Sequence, residues 1–328
     1  MADWLRGHPL RGRVLVVDDD PLAPENALLD AGAEVDLWRR RASPRGAATP
    51  WPPEGPFDAA VARLPAAREA LEMTLHAVGA RLEAGGLLYL YGANPEGIRS
   101  AGRRLERVLG GAAESVETRR HCRIWAVRRG VEARPLRSRL RDWRVAVTLE
   151  LEEGDASGVE RLVSYPGVFS HGRLDPGSRM LIEALAQVAP GARALDFGCG
   201  IGVLARALRR RWPELALDLV DSDALAVAAA AENLPGARVV CGSGLATLPA
   251  GSRYGLIVSN PPLHRGVARD ASVLLELCAE APSRLAPGGS LVLVTRRVQP
   301  LGEILGDAFA SVEVLRQDSR YRVWRAST

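Results

Sequence analysis

The stretch ARALDFGCGIGVLARALRRRW, Ala192 to Trp212, decides how the chain is read. It opens on a short apolar run, ALDF, passes through glycines at 198, 200 and 202, and continues into a leucine- and alanine-rich run of helical type. Alternate glycines let the backbone turn sharply and approach a ligand. Asp196 closes the strand before the loop. About twenty residues beyond the loop, the next apolar run, ALDLVD, ends in Asp221, where an acid accepts hydrogen bonds from ribose hydroxyls. The other reading of Asp221 is a helix N-cap, a role that Asp223 fits better. Strand, glycine loop, helix, strand and acid in this order predict an α/β domain. They allow either a nicotinamide nucleotide or S-adenosylmethionine as ligand.

Read outward from that stretch, the chain carries the same series twice. RVLVVDDD (Arg13 to Asp20) stands where ARALDFGCG stands in the second series, and FDAAVARLPA (Phe57 to Ala66) where YGLIVSNPPL (Tyr254 to Leu263) stands. RLEAGGLLYLYGANPEGI, from Arg81, matches RLAPGGSLVLVTRRVQPL, from Arg284. ESVETRRHCRIWAVRR, from Glu114, matches VEVLRQDSRYRVWRA, from Val312. So long a period is a duplicated domain, not a solenoid. Short apolar strands alternate with helical runs such as REALEMTLHAVGARL and DALAVAAAAENL. That predicts two mostly parallel, doubly wound sheets, each closed by an antiparallel strand pair. The expected division is a first domain over residues 1–130, a basic linker with connecting strands over 131–165, and a second domain over 166–328.

Composition narrows the chemistry. All 43 basic residues are arginine, so lysine Schiff-base and P-loop chemistry are excluded. Absence of lysine in itself reads as codon bias. The four cysteines are scattered with no Cys-x-x-Cys pair, and the five histidines are dispersed, so no metal centre or disulfide framework is expected. No apolar run approaches the roughly 18 to 20 residues that cross a bilayer. The N-terminal stretch lacks the apolar core of an export signal, so a cytoplasmic protein is expected. Between Arg119 and Arg144 lie ten arginines against two acids, with Trp125 and Trp143. Such a run is either a solvated linker or a nucleic-acid contact.

The second series ends its fourth strand in Asn260-Pro261-Pro262. Ligands in open α/β sheets lie beyond the carboxyl ends of strands, so Asn260 falls in the crevice of the glycine loop. The prolines fix the backbone and leave carbonyl oxygens without competing donors. The Asn260 side-chain oxygen and the Pro261 carbonyl can each accept one N–H of an exocyclic amine. Displacement at a methyl sulfonium needs alignment more than acid–base machinery. This motif favours S-adenosylmethionine over a nicotinamide nucleotide. In the first series the glycines and the asparagine are gone, replaced by VVDDD and ARLPA. That copy is expected neither to bind the cofactor nor to catalyse, and to serve in RNA docking and support.

With these residues in hand, the second half resembles class I S-adenosylmethionine-dependent methyltransferases with an Asn-Pro-Pro motif. The whole chain resembles the bacterial ribosomal RNA guanine-N2 methyltransferases of the small subunit methyltransferase C type. PGVFSHGRLDPGSRMLIEAL (Pro166 to Leu185), GIRSAGRRLERVL and RRHCRIWAVRR are similar to that family's segments. The resemblance implies two tandem Rossmann-like class I methyltransferase domains, the first degenerate. It implies that Gly198, Gly200 and Gly202 cradle the methionine end of the cofactor with Asp196 near its amino group. It places the ribose at Asp221 and the adenine near Ser243, with Asp175 and Phe169 bordering substrate and cofactor. The alternative reading of Asp175 is the N-cap of a helix with proline at N1; that of Phe169 is plain packing. Ser243 departs from the family's Asp or Asn, and Leu263 from its aromatic residue, whose stacking on a base is worth roughly 1 to 3 kcal/mol. His264 or Phe169 is then expected to supply the stacking face.

The leading expectation is methyl transfer to a guanine N2 of small-subunit ribosomal RNA by a monomer without membrane association. The alternatives are another planar amino nitrogen (a large-subunit RNA guanine, a DNA adenine or a protein glutamine) and a non-catalytic RNA-binding assembly factor that retains the fold.

Overall fold

The structure, a computed structural model, describes residues 1–17, 23–43, 46–130, 135–153, 156–261 and 268–328. The chain divides into two compact units, Met1–Arg41 with Ala48–Arg144 and Ala42–Ala47 with Val145–Thr328. The stretch expected as a linker is thus shared: residues 135–144 group with the first unit and 145–165 with the second.

The first unit runs α1 (Ala2–Gly7), β1 (Arg13–Val17), α2 (Ala23–Asp30), β2 (Glu34–Trp38), β3 (Phe57–Arg63), α3 (Arg68–Gly79), β4 (Leu82–Ala93), α4 (Gly102–Leu109), β5 (Ala113–Arg119) and β6 (Cys122–Arg128). Its sheet order is β2-β1-β3-β4-β6-β5, parallel through β4 and antiparallel at the β6–β5 end. Strand residues alternate between two cores. Leu15, Val17, Ala60, Ala62, Leu88 and Leu90 pack on one face, and Val14, Val16, Ala59, Val61 and Tyr89 on the other. Both faces are covered, which is why the central strands read as largely apolar runs in the sequence.

The second unit opens with a two-stranded antiparallel hairpin, β7 (Val145–Glu153) and β8 (Ala156–Ser164). It continues with α5 (Pro176–Leu185), β9 (Arg193–Phe197), α6 (Val203–Arg211), β10 (Ala216–Asp221), α7 (Ala224–Asn233), β11 (Arg238–Cys241) and β12 (Tyr254–Ser259). It closes with α8 (Ala268–Arg284), β13 (Leu285–Arg296), α9 (Gly302–Ala308), β14 (Ser311–Gln317) and β15 (Tyr321–Ser327). The sheet order is β11-β10-β9-β12-β13-β15-β14.

Minus β11, the two orders are the same, and so are their irregularities. The register shifts between Phe57 and Ala59 in the first sheet and between Tyr254 and Leu256 in the second, where Gly85 and Gly288 take positive φ of 79° and 72°. A second pair of shifts falls between Ser115 and Glu117 and between Val314 and Arg316. Trp125 packs against Gly102 as Trp324 packs against Gly302. The apolar runs alone would fit any two α/β domains; shared bulges and shared glycine–tryptophan contacts mark a duplication. Among the described residues the first sheet has no counterpart of β11.

Candidate active site

Register fixes where the site lies. Phe197 pairs with Val220 on one side and Ser259 on the other, and Asp221 pairs with Cys241. Gly198, Asp221 and Asn260 therefore leave their strands at one level, the carboxyl edge of the sheet. The Ser259 hydroxyl donates to the Phe197 carbonyl at 2.8 Å and ties β12 to β9 just below that edge.

The glycine loop is shaped from beneath. Gly198, Gly200 and Gly202 all have positive φ, 70°, 54° and 86°. A Cβ at Gly198 or Gly200 would meet nothing within 4 Å, so open space lies over both. At Gly202 a Cβ would fall 2.5 Å from Leu234 Cδ1, so this glycine is needed for packing as well as for its backbone angle. The N–H groups of Gly198 and Cys199 donate to Val220 O. Asp221 Oδ2 accepts the Gly200 N–H and Oδ1 the Asp223 N–H, both at 2.8 Å. Asp221 thus orders the loop as well as ending β10, while Asp223 is the N-cap of α7. Asn233, the last residue of α7, donates to Ile201 O at 2.9 Å and takes both the N–H and the carbonyl of Val163 on β8.

Asp196 lies under the loop with no exposed surface. Its Oδ2 accepts the Ala205 N–H at 3.0 Å, and Oδ1 is buried with no hydrogen-bond partner among the described residues. Burial, reinforced by the Asp221 charge and offset by the Ala205 hydrogen bond, pushes its carboxyl up to about 7. Burial likewise raises the thiols of Cys199 and Cys241, the latter to about 11, so both stay protonated near neutrality. Ser243 sits half-buried in the turn after β11, whose Gly242 N–H is held by Asp221 O. Beside it Ala42 donates its N–H to Ser222 O at 2.7 Å. Open space over two positive-φ glycines, a carboxylate at the next strand end and a buried acceptor below the loop fit S-adenosylmethionine.

Asn260 stands across the crevice from the loop. Its Nδ2 donates to Asp175 Oδ2 and to Ser178 Oγ, each at 2.8 Å. Asp175 is the N-cap of α5, accepting the Ser178 N–H at 3.0 Å, with Pro176 following at N1. Phe169 is 52% exposed, in the segment that leads into α5. That segment is pinned by a 2.8 Å hydrogen bond between Ser164 and His171. Pro261 is buried. Pro262, Leu263 and His264 lie outside the described residues, as do Asp18, Asp19 and Asp20 of the first copy.

Three contributors escaped the sequence reading. Ser178 and Asn233 touch the site from helices far along the chain, and Ser259 looks like any strand residue. The Asp-x-x-Ser spacing signalled a helix cap but not what the cap would hold. The two tryptophans of the arginine-rich stretch also differ from expectation as base-stacking groups. Trp143 is 5% exposed and donates to Arg137 O, and Trp125 is packed on Gly102 and donates to Ile98 O. Indole rings seated in this way support the first unit's own packing.

In the first unit the equivalent edge has other chemistry. Val17 pairs with Trp38 and Ala62 as Phe197 pairs with Val220 and Ser259. Arg39 therefore takes the place of Asp221, and Arg63 that of Asn260. Arg39 pairs with Glu25 and Arg63 with Glu96. A small cleft there is lined by Trp38, Arg40, Arg63, Pro65, Met73 and others. Among the described residues no cluster of three or more His, Cys, Asp or Glu could hold a metal, and no helix is long and apolar enough to cross a membrane.

A glycine loop, an acid at the next strand end and an asparagine at the strand end opposite define a small-domain methyltransferase. Residues 160–325 match the methyltransferase small domain and residues 41–144 its N-terminal companion domain. The ribosomal RNA small subunit methyltransferase C of Pseudomonas entomophila is 39% identical over 84% of this chain and 80% of its own length. That of Hahella chejuensis is 33% identical over 97% and 94%. The solved Thermus thermophilus 16S rRNA N2 G1207 methyltransferase, in complex with AdoMet and guanosine, aligns with a TM-score of 0.84 at 26% identity, covering 99% of this chain and 91% of that one. The chain belongs to the ribosomal RNA small subunit methyltransferase C family.

Proposed function

We propose that the protein transfers a methyl group from S-adenosylmethionine to the exocyclic N2 amine of a guanine in small-subunit ribosomal RNA. The observation that carries this reading is the orientation of Asn260. Both its N–H groups are taken by Asp175 and Ser178, so Oδ1 is left as the acceptor at the carboxyl edge. That oxygen and the Pro261 carbonyl suit the two N–H groups of one planar amine. Accepting both turns the nitrogen lone pair out of the base plane and toward the loop side of the crevice. S-adenosylmethionine, when bound, supplies an electrophilic methyl on a sulfonium. Gly198, Gly200 and Gly202 would hold its methionine end above Asp196, Asp221 its ribose, and Ser243 the edge of its adenine. Phe169, exposed and anchored next to α5, offers the base an aromatic face. Leu263 and His264 are the remaining candidates for that wall.

The first unit neither binds the cofactor nor catalyses: Arg39 and Arg63 replace the ribose acid and the amine acceptor. Its part is RNA docking. Arg99, Arg103, Arg119, Arg120 and His121 are exposed there. Arg120 and His121 form a turn with φ of 49° and 62° at the β5–β6 tip. Phosphate contacts from such arginines give affinity without reading sequence. The protein acts in the cytoplasm as a monomer.

Calorimetry with S-adenosylmethionine tests the cofactor, and nucleoside mass spectrometry of ribosomal RNA from a deletion strain tests the product. One N2-methylguanosine should be lost from the small subunit. Asn260→Ala should abolish transfer while changing cofactor affinity less than about twofold; a parallel loss of both would make Asn260 structural.

A further inference from the structure

The Asn260 amide is held by a device assembled 82 to 85 residues earlier in the chain. Each Nδ2 proton has its own acceptor, Asp175 Oδ2 and Ser178 Oγ, at 2.8 Å. A carboxylate can only accept, so the flipped amide would set Oδ1 against Asp175 Oδ2 and lose that hydrogen bond, whereas the Ser178 hydroxyl can accept or donate and tolerates either orientation. The carboxylate is itself fixed by the Ser178 N–H at 3.0 Å. The residue between leaves it room: a Cβ at Gly177 would come within 3.0 Å of Asp175 Oδ2 and 3.3 Å of the Tyr321 ring. Asp-Pro-Gly-Ser thus does two things with one turn of backbone. It caps α5, and it presents two acceptors to Asn260.

We propose that Asp175 and Ser178 are positioning residues for methyl transfer, fixing the Asn260 amide in the orientation in which Oδ1 accepts the substrate amine. This rests on the reading of Asn260 as the amine acceptor, and it gives Asp175 a role apart from cofactor binding. The carboxylate selects the orientation, and the second hydrogen bond, donated to Ser178 Oγ, restricts rotation about the last side-chain bond.

The test uses the full chain with Asp175→Asn and Ser178→Ala. Asparagine is as good an N-cap as aspartate, and the cap donor at 178 is the backbone, so α5 keeps its cap in both variants. Asp175→Asn removes the charge that forbids the flipped amide, and Ser178→Ala removes one acceptor. Each should lower kcat about tenfold, the worth of one hydrogen bond in a dry site, with the S-adenosylmethionine Kd changed less than twofold. The chain has four asparagines, Asn26, Asn94, Asn233 and Asn260, so selective 15N-asparagine labelling gives four side-chain amide pairs, with a fifth new pair in Asp175→Asn. Loss of one pair in Asn260→Ala assigns it. That pair should move in both variants while the Asn233 pair stays in place, a signature that general loosening of the fold would not give. An unchanged kcat with an unmoved Asn260 pair would overturn the proposal. So would a rise in cofactor Kd that accounts for the lost activity, which would make Asp175 a cofactor ligand. Failure of the underlying reading looks different: Asn260→Ala itself would retain wild-type kcat.

Discussion

Asp196 makes the stability of the second unit depend on pH in an unusual direction. In the unfolded chain its carboxyl ionises near the ordinary value of 3.8, whereas in the folded unit burial holds the proton up to about 7. Below pH 4 both states are protonated and the group contributes nothing. Between these values the folded state binds the extra proton, so unfolding free energy falls as pH rises, by about 1.4 kcal/mol per pH unit. The full penalty is roughly 4 kcal/mol above pH 7. Asp196→Asn removes this dependence. The amide oxygen can keep the Ala205 N–H, but its NH2 then lies where Oδ1 has no partner, at a constant cost of about 1 to 3 kcal/mol. The two proteins should therefore cross: the variant is the less stable at pH 4 and the more stable at pH 8. A protein of two units need not unfold in one step, so the assay is hydrogen exchange of β9 and β10 peptides at each pH. Comparing the proteins at the same pH cancels the intrinsic exchange rate. A stability difference that stays flat from pH 4 to 8 would mean that Asp196 titrates alike in both states, and the argument from burial would fail.

Two substitutions separate packing from ligand space in the glycine loop. Gly202→Ala meets Leu234 as well as an unfavourable φ and should destabilise the second unit by roughly 2 to 3 kcal/mol. Gly198→Ala carries only the backbone cost, about 1 kcal/mol, yet its methyl enters the open space, so it should weaken S-adenosylmethionine binding out of proportion to its effect on unfolding. Hydrogen exchange of β9 and β10 peptides and calorimetry with S-adenosylmethionine on both variants check the contrast, and equal loss of stability would refute it. Asn233→Ala strands three buried backbone groups, Val163 N–H, Val163 O and Ile201 O, and should cost about 3 kcal/mol. Exchange in β8 and in the loop should then rise together.

Most of the architecture was legible because both copies spell it the same way. VLVV and ALDF, DAAV and YGLIVS, LLYLY and SLVLVT are largely buried on both faces, so apolar residues fill most positions of each run. The Gly-Gly steps inside β4 and β13, Gly85-Gly86 and Gly288-Gly289, mark a shared irregularity of register. β11 was not legible, because RVVC is four residues long and the first copy offers no counterpart for comparison. The hairpin of β7 and β8 read only as connecting strands, since its place in the second unit depends on Asn233, 70 residues away. Asn260, Asp221 and the glycines stood out because unusual residues occupy strand ends. Ser178 did not, since a serine three residues after an aspartate is what any helix cap uses. Its contact with Asn260 exists only after the first turn of α5 is brought to the carboxyl end of β12. The tryptophans misled for the converse reason: an indole beside arginines suits base stacking in a sequence, and in the fold each ring is spent on packing.

The amide of Asn233 fills the place that a third strand would take along the free edge of β8, and with the same group it grips the glycine loop. Loop and hairpin are thereby terms in one thermodynamic cycle. Whatever the docked hairpin contributes to readying the loop, an occupant of the loop must return to the hairpin in equal measure. The hairpin thus becomes a gauge of occupancy well outside the cleft. A substitution along its outer face that loosens the hairpin would change the affinity of the loop for its occupant.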